Sequence, residues 1–282
     1  MTVPLDVEDL GEVQWSPTGK YLALNNLQAI VIVDSQTGRV VKTINYQAPT
    51  ALHGTGTHQS LLSSAVPLGG GFGFYSVAWS PDGASLAVDV SNIDSGKVVL
   101  LDPQTGTVKT TFSAQAAPIG LALAFSSDGK YLAVSYANDA KIVVWSVATQ
   151  QVVSVLGGAQ SMTIAWQPGT HNLTRNTSSS TEIWDVDAHK LLKTYKEVSG
   201  FAWSPDGKRL AAYTLPFAAP FSDTKTGKVT ILDADSGAQV GVYSSQDPLI
   251  FSASWSPDGR SMVTVESPGH NSTNIQIVIW AA

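Results

Sequence analysis

Val77-Ala78-Trp79-Ser80-Pro81-Asp82-Gly83 is the stretch on which the architecture turns, because the chain repeats it. An apolar–x–aromatic triplet leads into Ser-Pro-Asp-Gly, and a Leu-Ala pair follows. The phrase returns as Val13-Gln14-Trp15-Ser16-Pro17-Thr18-Gly19 and as Leu123-Ala124-Phe125-Ser126-Ser127-Asp128-Gly129. It returns again as Ile164-Ala165-Trp166-Gln167-Pro168-Gly169, Phe201-Ala202-Trp203-Ser204-Pro205-Asp206-Gly207 and Ala253-Ser254-Trp255-Ser256-Pro257-Asp258-Gly259. Recurrence on this scale signals one supersecondary unit stacked on itself.

The third copy shows what the unit is. Leu121 to Phe125 alternates and ends at Ser-Ser-Asp-Gly, where Asp caps the local backbone and Gly supplies positive φ. Tyr131 to Ser135 follows as a second strand, and Ala137 to Ala140 is a polar connection. Ile142 to Trp145 is a continuous apolar run, the mark of a strand buried on both faces. A turn at Thr149-Gln150 leads to Val152 to Leu156. Strands joined by tight turns read as hairpins, so the unit is a four-stranded antiparallel meander. The other third strands are Ile30 to Asp34, Val98 to Asp102, Ile183 to Asp185, Val229 to Asp233 and Ile275 to Trp280. The fourth strands are Val40 to Ile44, Val108 to Phe112, Leu191 to Tyr195 and Val240 to Tyr243. No segment carries a helical period.

This pattern resembles the WD-repeat (WD40) β-propeller family and bacterial relatives with Trp-Ser-Pro-Asp-Gly repeats, such as the TolB-type propellers. The resemblance covers essentially the whole chain, although a Trp-Asp pair occurs in a third strand only at Trp184-Asp185. It implies an all-β, six-bladed propeller of four-stranded blades, one domain over residues 1–282. The buried His, Ser/Thr, Asp and Trp network of that family is approached only in the third blade, by Ser135, Asp139 and Trp145 without a histidine. The sixth copy stops after its third strand. Val3, Leu5 and Val7 alternate with polar residues and Pro4, which suits an edge strand. Met1 to Val7 is therefore expected to supply the missing outer strand and close the ring, as the resemblance implies. Seven blades is the alternative, if Gln47 to Gly73 hides a degenerate one.

Composition narrows the function. Charged residues are 13% of the chain, about half the usual share. The net charge is −6 and no Lys/Arg run occurs, which argues against nucleic acid. No cysteine is present, so disulfides and thiolate metal sites are excluded. The first ten residues lack the apolar core of a signal peptide, and no apolar stretch approaches the ~20 residues of a membrane span. The compartment stays open.

The first-to-second and third-to-fourth turns are short and near-constant, and a meander puts both at one end. Gln47 to Gly73, Asn176 to Thr181, Leu215 to Gly227 and Glu266 to Asn274 vary and share the other end. Variable loops on a rigid scaffold are where binding residues concentrate. The candidate partner-binding residues are His53, His58, Phe72, Phe74, His171, Arg175, Phe217, Phe221 and His270. Four of the five histidines, all but His189, are expected on this loop-rich face, but no HxH or HExxH spacing marks a metal site. Gly69-Gly70-Gly71 leads into a strand rather than a helix, which rules out a phosphate loop. Phe217 and Phe221, in an apolar connection, are candidate anchors. Asn172, Asn176 and Asn271 open glycosylation-type triplets of the kind chance yields in a Ser/Thr-rich chain. Asp82, Asp128, Asp206 and Asp258 repeat in the constant turns, which marks turn formers rather than catalysts. No nucleophile elbow or triad spacing is visible.

The reading is a non-catalytic scaffold without cofactor that binds a protein or peptide through its loop face, as a monomer or weak self-associator. The alternatives are a TolB-like extracytoplasmic accessory or sensor propeller and a loop-built hydrolase or carbohydrate binder.

Overall fold

A computed structural model describes residues 10–26, 29–45, 76–89, 96–114, 120–136, 140–158, 161, 163–198, 200–214, 227–245, 247, 249–267 and 276–281. Every regular element among them is a strand. The first sheet holds β1 (Leu10–Trp15), β2 (Tyr21–Asn26), β3 (Ala29–Asp34) and β4 (Val40–Asn45). The second holds β5 (Val77–Trp79), β6 (Leu86–Asp89), β7 (Gly96–Leu101) and β8 (Val108–Ala114). The third holds β9 (Gly120–Phe125), β10 (Tyr131–Tyr136), β11 (Lys141–Ser146) and β12 (Val152–Leu156). The fourth holds β13 (Ile164–Trp166), β14 (Asn172–Asn176), β15 (Ser180–Asp185) and β16 (Lys190–Lys196). The fifth holds β17 (Gly200–Trp203), β18 (Arg209–Tyr213), β19 (Lys228–Asp233) and β20 (Gln239–Ser244). The sixth, with β21 (Leu249–Trp255), β22 (Ser261–Ser267) and β23 (Gln276–Ala281), has three strands among the described residues.

In every sheet the strands follow chain order and pair antiparallel. All five third-to-fourth pairings carry a register shift at the same place, between Ile32/Val33, Leu100/Leu101, Val144/Trp145, Ile183/Trp184 and Ile231/Leu232. A bulge beside the turn adds local twist, so the repeat extends to backbone detail.

Contacts divide the chain into two compact units, Met1–Met162 and Thr163–Ala282, with three sheets each. Within each unit the core lies between consecutive sheets. Val77, Trp79, Leu86 and Val88 of the second sheet pack on Tyr21, Ala23, Ile30 and Ile32 of the first. The alternate residues Ala78, Ala87, Val98 and Leu100 pack on Leu123, Leu132, Val134 and Trp145 of the third. This is the period-two pattern of a strand buried on both faces. In the second unit, Ile183 packs with Phe201, Leu210 and Ala212, while Ala211, Tyr213 and Ile231 pack with Ile250, Trp255 and Met262.

The first sheet packs directly on the second. Gln47 to Gly73, where the alternative placed a seventh blade, lies outside the described residues. Met1 to Val7, the expected closing strand, is also outside them. Among the exposed apolar side chains, Trp15 is 62% exposed, and Ile277 and Ile279 on β23 are 71% and 75% exposed.

Candidate functional site

The constant turns seal one end of each sheet. Ser80, Ser126, Ser204 and Ser256 each donate a hydroxyl hydrogen bond of 2.6–2.8 Å to the aspartate two residues on. The same hydroxyl oxygen accepts the amide five residues on, at 2.9 Å in each case. The serine hydroxyl is the main reason that Asp82, Asp206 and Asp258 are held below the usual carboxylate range. Asp34 and Asp102, at the third-to-fourth turns, are held low chiefly by the amides of Thr37 and Thr105. Their repetition and their full set of turn hydrogen bonds assign these acids to backbone geometry.

The turns also interlock between sheets. A Cβ on Gly207 would lie 2.3 Å from the carbonyl oxygen of Pro168 in the preceding sheet. The prolines of two other turns, Pro81 and Pro205, sit 3.6–3.7 Å from the Cβ positions of Gly129 and Gly259. Gln167 Nε2 donates to Gly207 O and Arg209 Nη2 to Gly259 O, both at 2.8 Å. Lys193 Nζ donates to Ala234 O and Asp235 O at 2.5 and 2.7 Å. The aromatic of the phrase does the same work on the inner strands. Trp79 Nε1 donates to Gln14 O, Trp203 Nε1 to Thr174 Oγ1 and Trp255 Nε1 to Ala202 O, at 3.4, 2.9 and 3.1 Å.

The opposite end is built from unrepeated parts. Arg175 is buried where β2, β6, β10 and β18 carry Leu24, Val88, Val134 and Ala212. Its Nε and Nη2 donate to Glu182 Oε2 at 2.9 and 2.8 Å, and its guanidinium lies 5.4 Å from the Trp184 ring. Trp184 Nε1 donates to the same oxygen at 2.9 Å. An ion pair buried inside a sheet adds little net stability compared with apolar packing. Beside it the Thr177–Ser180 turn, with Thr177 N donating to Ser180 O at 2.7 Å, makes β14 and β15 a tight hairpin. This corrects the expected interruption at Asn176 to Thr181. In the third sheet Ser135 Oγ donates to Ser161 O at 2.5 Å, so a backbone carbonyl serves where the resemblance would place a histidine. Tyr136, next to it, is fully buried, and burial first, then the charge of Asp89, pushes its phenol above the usual value. In the sixth sheet the buried Glu266 carboxylate accepts the hydroxyls of Ser245 and Thr264.

Of the candidate residues, only His171 and Arg175 fall among the described ones, and the structure separates them. Arg175 is at the loop end. His171 is not: it follows Gly169-Thr170 in the β13–β14 turn, with Nδ1 2.6 Å from Asp187 Oδ2 in the β15–β16 turn. It therefore shares the constant-turn end with His189. The register Trp166↔Leu173 matches Trp79↔Leu86 and Trp203↔Leu210, so His171 occupies the turn position that Ala84 and Lys208 hold in other copies. His53, His58, Phe72, Phe74, Phe217, Phe221 and His270 lie outside the described residues. Among the described residues no three His, Asp or Glu side chains gather as a metal site. Nor is any helix there long and apolar enough to cross a membrane. The sequence reading missed Glu182, Ser245, Thr264 and Glu266. For Glu182 and Thr264 the available signal was a polar residue at a register position that most other copies fill with apolar ones, such as Val31, Val99 and Val143 or Leu24, Val88 and Val134.

Two solved structures settle the architecture. A chain of Kuenenia stuttgartiensis hydrazine synthase superposes with TM-score 0.65 at 18% identity, covering 94% of this chain and 79% of that one. A chain of a mitotic checkpoint complex superposes with TM-score 0.69 at 16% identity, covering 97% and 74%. The fold is a six-bladed β-propeller. The WD domain, G-beta repeat family matches residues 106–146, which run from the outer strand of the second blade through the first three strands of the third. That span contains Ser135 and Trp145, the residues nearest the WD-repeat network. Transcription initiation factor TFIID subunit 5 of Caenorhabditis elegans is 23% identical over 198 residues, 68% of this chain and 28% of its own. Periodic tryptophan protein 2 of Arabidopsis thaliana is 28% identical over 229 residues, 78% of this chain and 22% of its own. The chain thus spans about a quarter of these relatives' length.

Proposed function

We propose that residues 1–282 form one non-catalytic binding domain, which holds a protein or peptide partner through the loop ends of its blades. One observation carries the reading. Four blades seal their constant-turn ends with the same Ser–Asp hydrogen bond, whereas the buried polar groups at the loop ends, Arg175–Glu182 in one blade and Glu266–Ser245 in another, do not recur. A surface that repeats offers a partner several equal sites, and a surface that varies can offer one specific site. The relatives support this: one is named as a subunit of a transcription factor, and one solved likeness is titled as a checkpoint complex. The Trp-Ser-Pro-Asp-Gly form of the phrase supports kinship with TolB-type repeats within the same class.

Phe217 and Phe221 are the proposed anchors, with Arg175 and Glu182 supporting the floor beneath the β14–β15 hairpin. Replacing both phenylalanines by alanine is expected to weaken partner capture by about tenfold or more, with the melting temperature little changed. Proximity labelling identifies the partner, and calorimetry with the purified partner measures the loss. Unchanged affinity in the double variant would defeat this site assignment.

A further inference from the structure

We propose that Glu266 is a positioning residue that gathers three connections at the loop end of the second unit. Its side chain is 1% exposed. Oε2 accepts the Ser245 hydroxyl and Oε1 the Thr264 hydroxyl. Thr264 Oγ1 accepts the indole N–H of Trp280 at 2.8 Å, which ties in β23. On the other side, Ser245 Oγ accepts the amide of Asp247 at 2.9 Å. The Asp247 carbonyl accepts the amide of Gly227 at 2.7 Å, and the Gly227 carbonyl accepts the amide of Ser245 at 2.9 Å.

One carboxylate therefore stands at the root of three chain segments. The first is the connection that enters β19 at Gly227. The second is the passage from β20 to β21 through Ser245 and Asp247. The third leaves β22 just after Glu266. The Ser245 hydroxyl brings the second segment to the carboxylate, and backbone bonds to Asp247 and Ser245 tie the first to the second. Thr264, on β22 itself, links the carboxylate to Trp280. The packing leaves no slack: a Cβ on Gly227 would lie 2.8 Å from both Asp247 O and Ile250 Cγ1. A carboxylate suits the position because each of its oxygens accepts, whereas an amide offers one acceptor oxygen. Removing that acceptor leaves a buried hydroxyl without its partner, and the penalty falls on the node. The functional meaning rests on the binding role proposed for the loop end: Glu266 sets the geometry of the roots from which that surface grows.

The test is site-resolved amide hydrogen exchange on the full chain without any partner, so its outcome is independent of whether the loop end binds. In Glu266→Gln, the amides of Gly227, Ser245 and Asp247 should exchange about tenfold faster, and those of Gly207, Gly237 and Gly259 at the constant turns should stay within about twofold. Equal protection of the first three, or uniform acceleration of all six, overturns the proposal. Ser245→Ala cuts one arm only and serves if the first variant does not fold. It should free the Asp247 amide and leave the constant turns unchanged. Full protection of Asp247 in that variant also overturns the proposal.

Discussion

At the constant-turn end, a Cβ on Gly207 would collide with a carbonyl of the neighbouring sheet; at the loop end, Arg175 occupies a site that other copies give to an apolar side chain, and Glu266 is a fully buried carboxylate. The first region repeats one Ser–Asp turn in four copies and joins neighbouring turns through backbone carbonyls. The second uses side-chain pairing, so its residues are individual. Repetition lets the propeller lock one end uniformly. The other end is then free to diverge, because a change there does not disturb the interlock.

The largest expected effect tests the interlock. Gly207→Ala adds a Cβ at φ +69° and 2.3 Å from Pro168 O. Left-handed strain and overpacking together should cost about 3 kcal/mol. Gly19→Ala, at φ +69° with nothing within 4 Å of the new Cβ, carries the strain alone. A denaturant titration that shows equal losses for the two would mean that the turns do not interlock.

A smaller effect of opposite sign tests uniformity at the third-to-fourth turns. Gly38, Gly106 and Gly237 hold positive φ there, whereas Gln150 and His189 do so at +61° and +51°. Gln150→Gly and His189→Gly should each stabilise by about 1 kcal/mol, since glycine enters this region without steric cost. A fall in melting temperature would show that these side chains make contacts worth more than the strain.

The smallest effect is on pH dependence. Asp82, Asp206 and Asp258 have folded carboxyls held below their ordinary value by the serine hydroxyl. The unfolded chain thus binds the proton more readily. The stabilisation is complete above the ordinary value of ~3.9 and is lost as pH falls through the lower folded one. Asp82→Asn should therefore lower stability at neutral pH, leave it almost unchanged at the acid extreme, and so flatten the acid limb of the stability curve below about pH 4. An unaltered acid limb would exclude the Ser80–Asp82 bond as its source.

Much of the fold was legible because turn chemistry is local. Ser-Pro-Asp-Gly declares a hairpin within a few residues, and β12 spans Val152–Leu156 as the alternation predicts. The role of the aromatic was not legible. Trp79 reads as the end of a strand, yet its indole N–H serves Gln14 in another sheet. His171 was misplaced because Gln167-Pro168-Gly169-Thr170 hides the turn phrase, although the strand register is the one the other copies keep. Arg175 was singled out as a charge near a loop, but its burial against Glu182 and Trp184 needed the strand pairing to be seen.

The amino-acid order alone determined six meanders, their antiparallel order and the chemistry of their tight turns, since those bonds span about five residues. Tertiary structure decided which turns interlock and which polar side chains become buried partners. Ser245 meets Glu266, and Lys193 meets Ala234, only after separate strands have packed. Burial removes the competition of water, and only a finished sheet-on-sheet contact can do that.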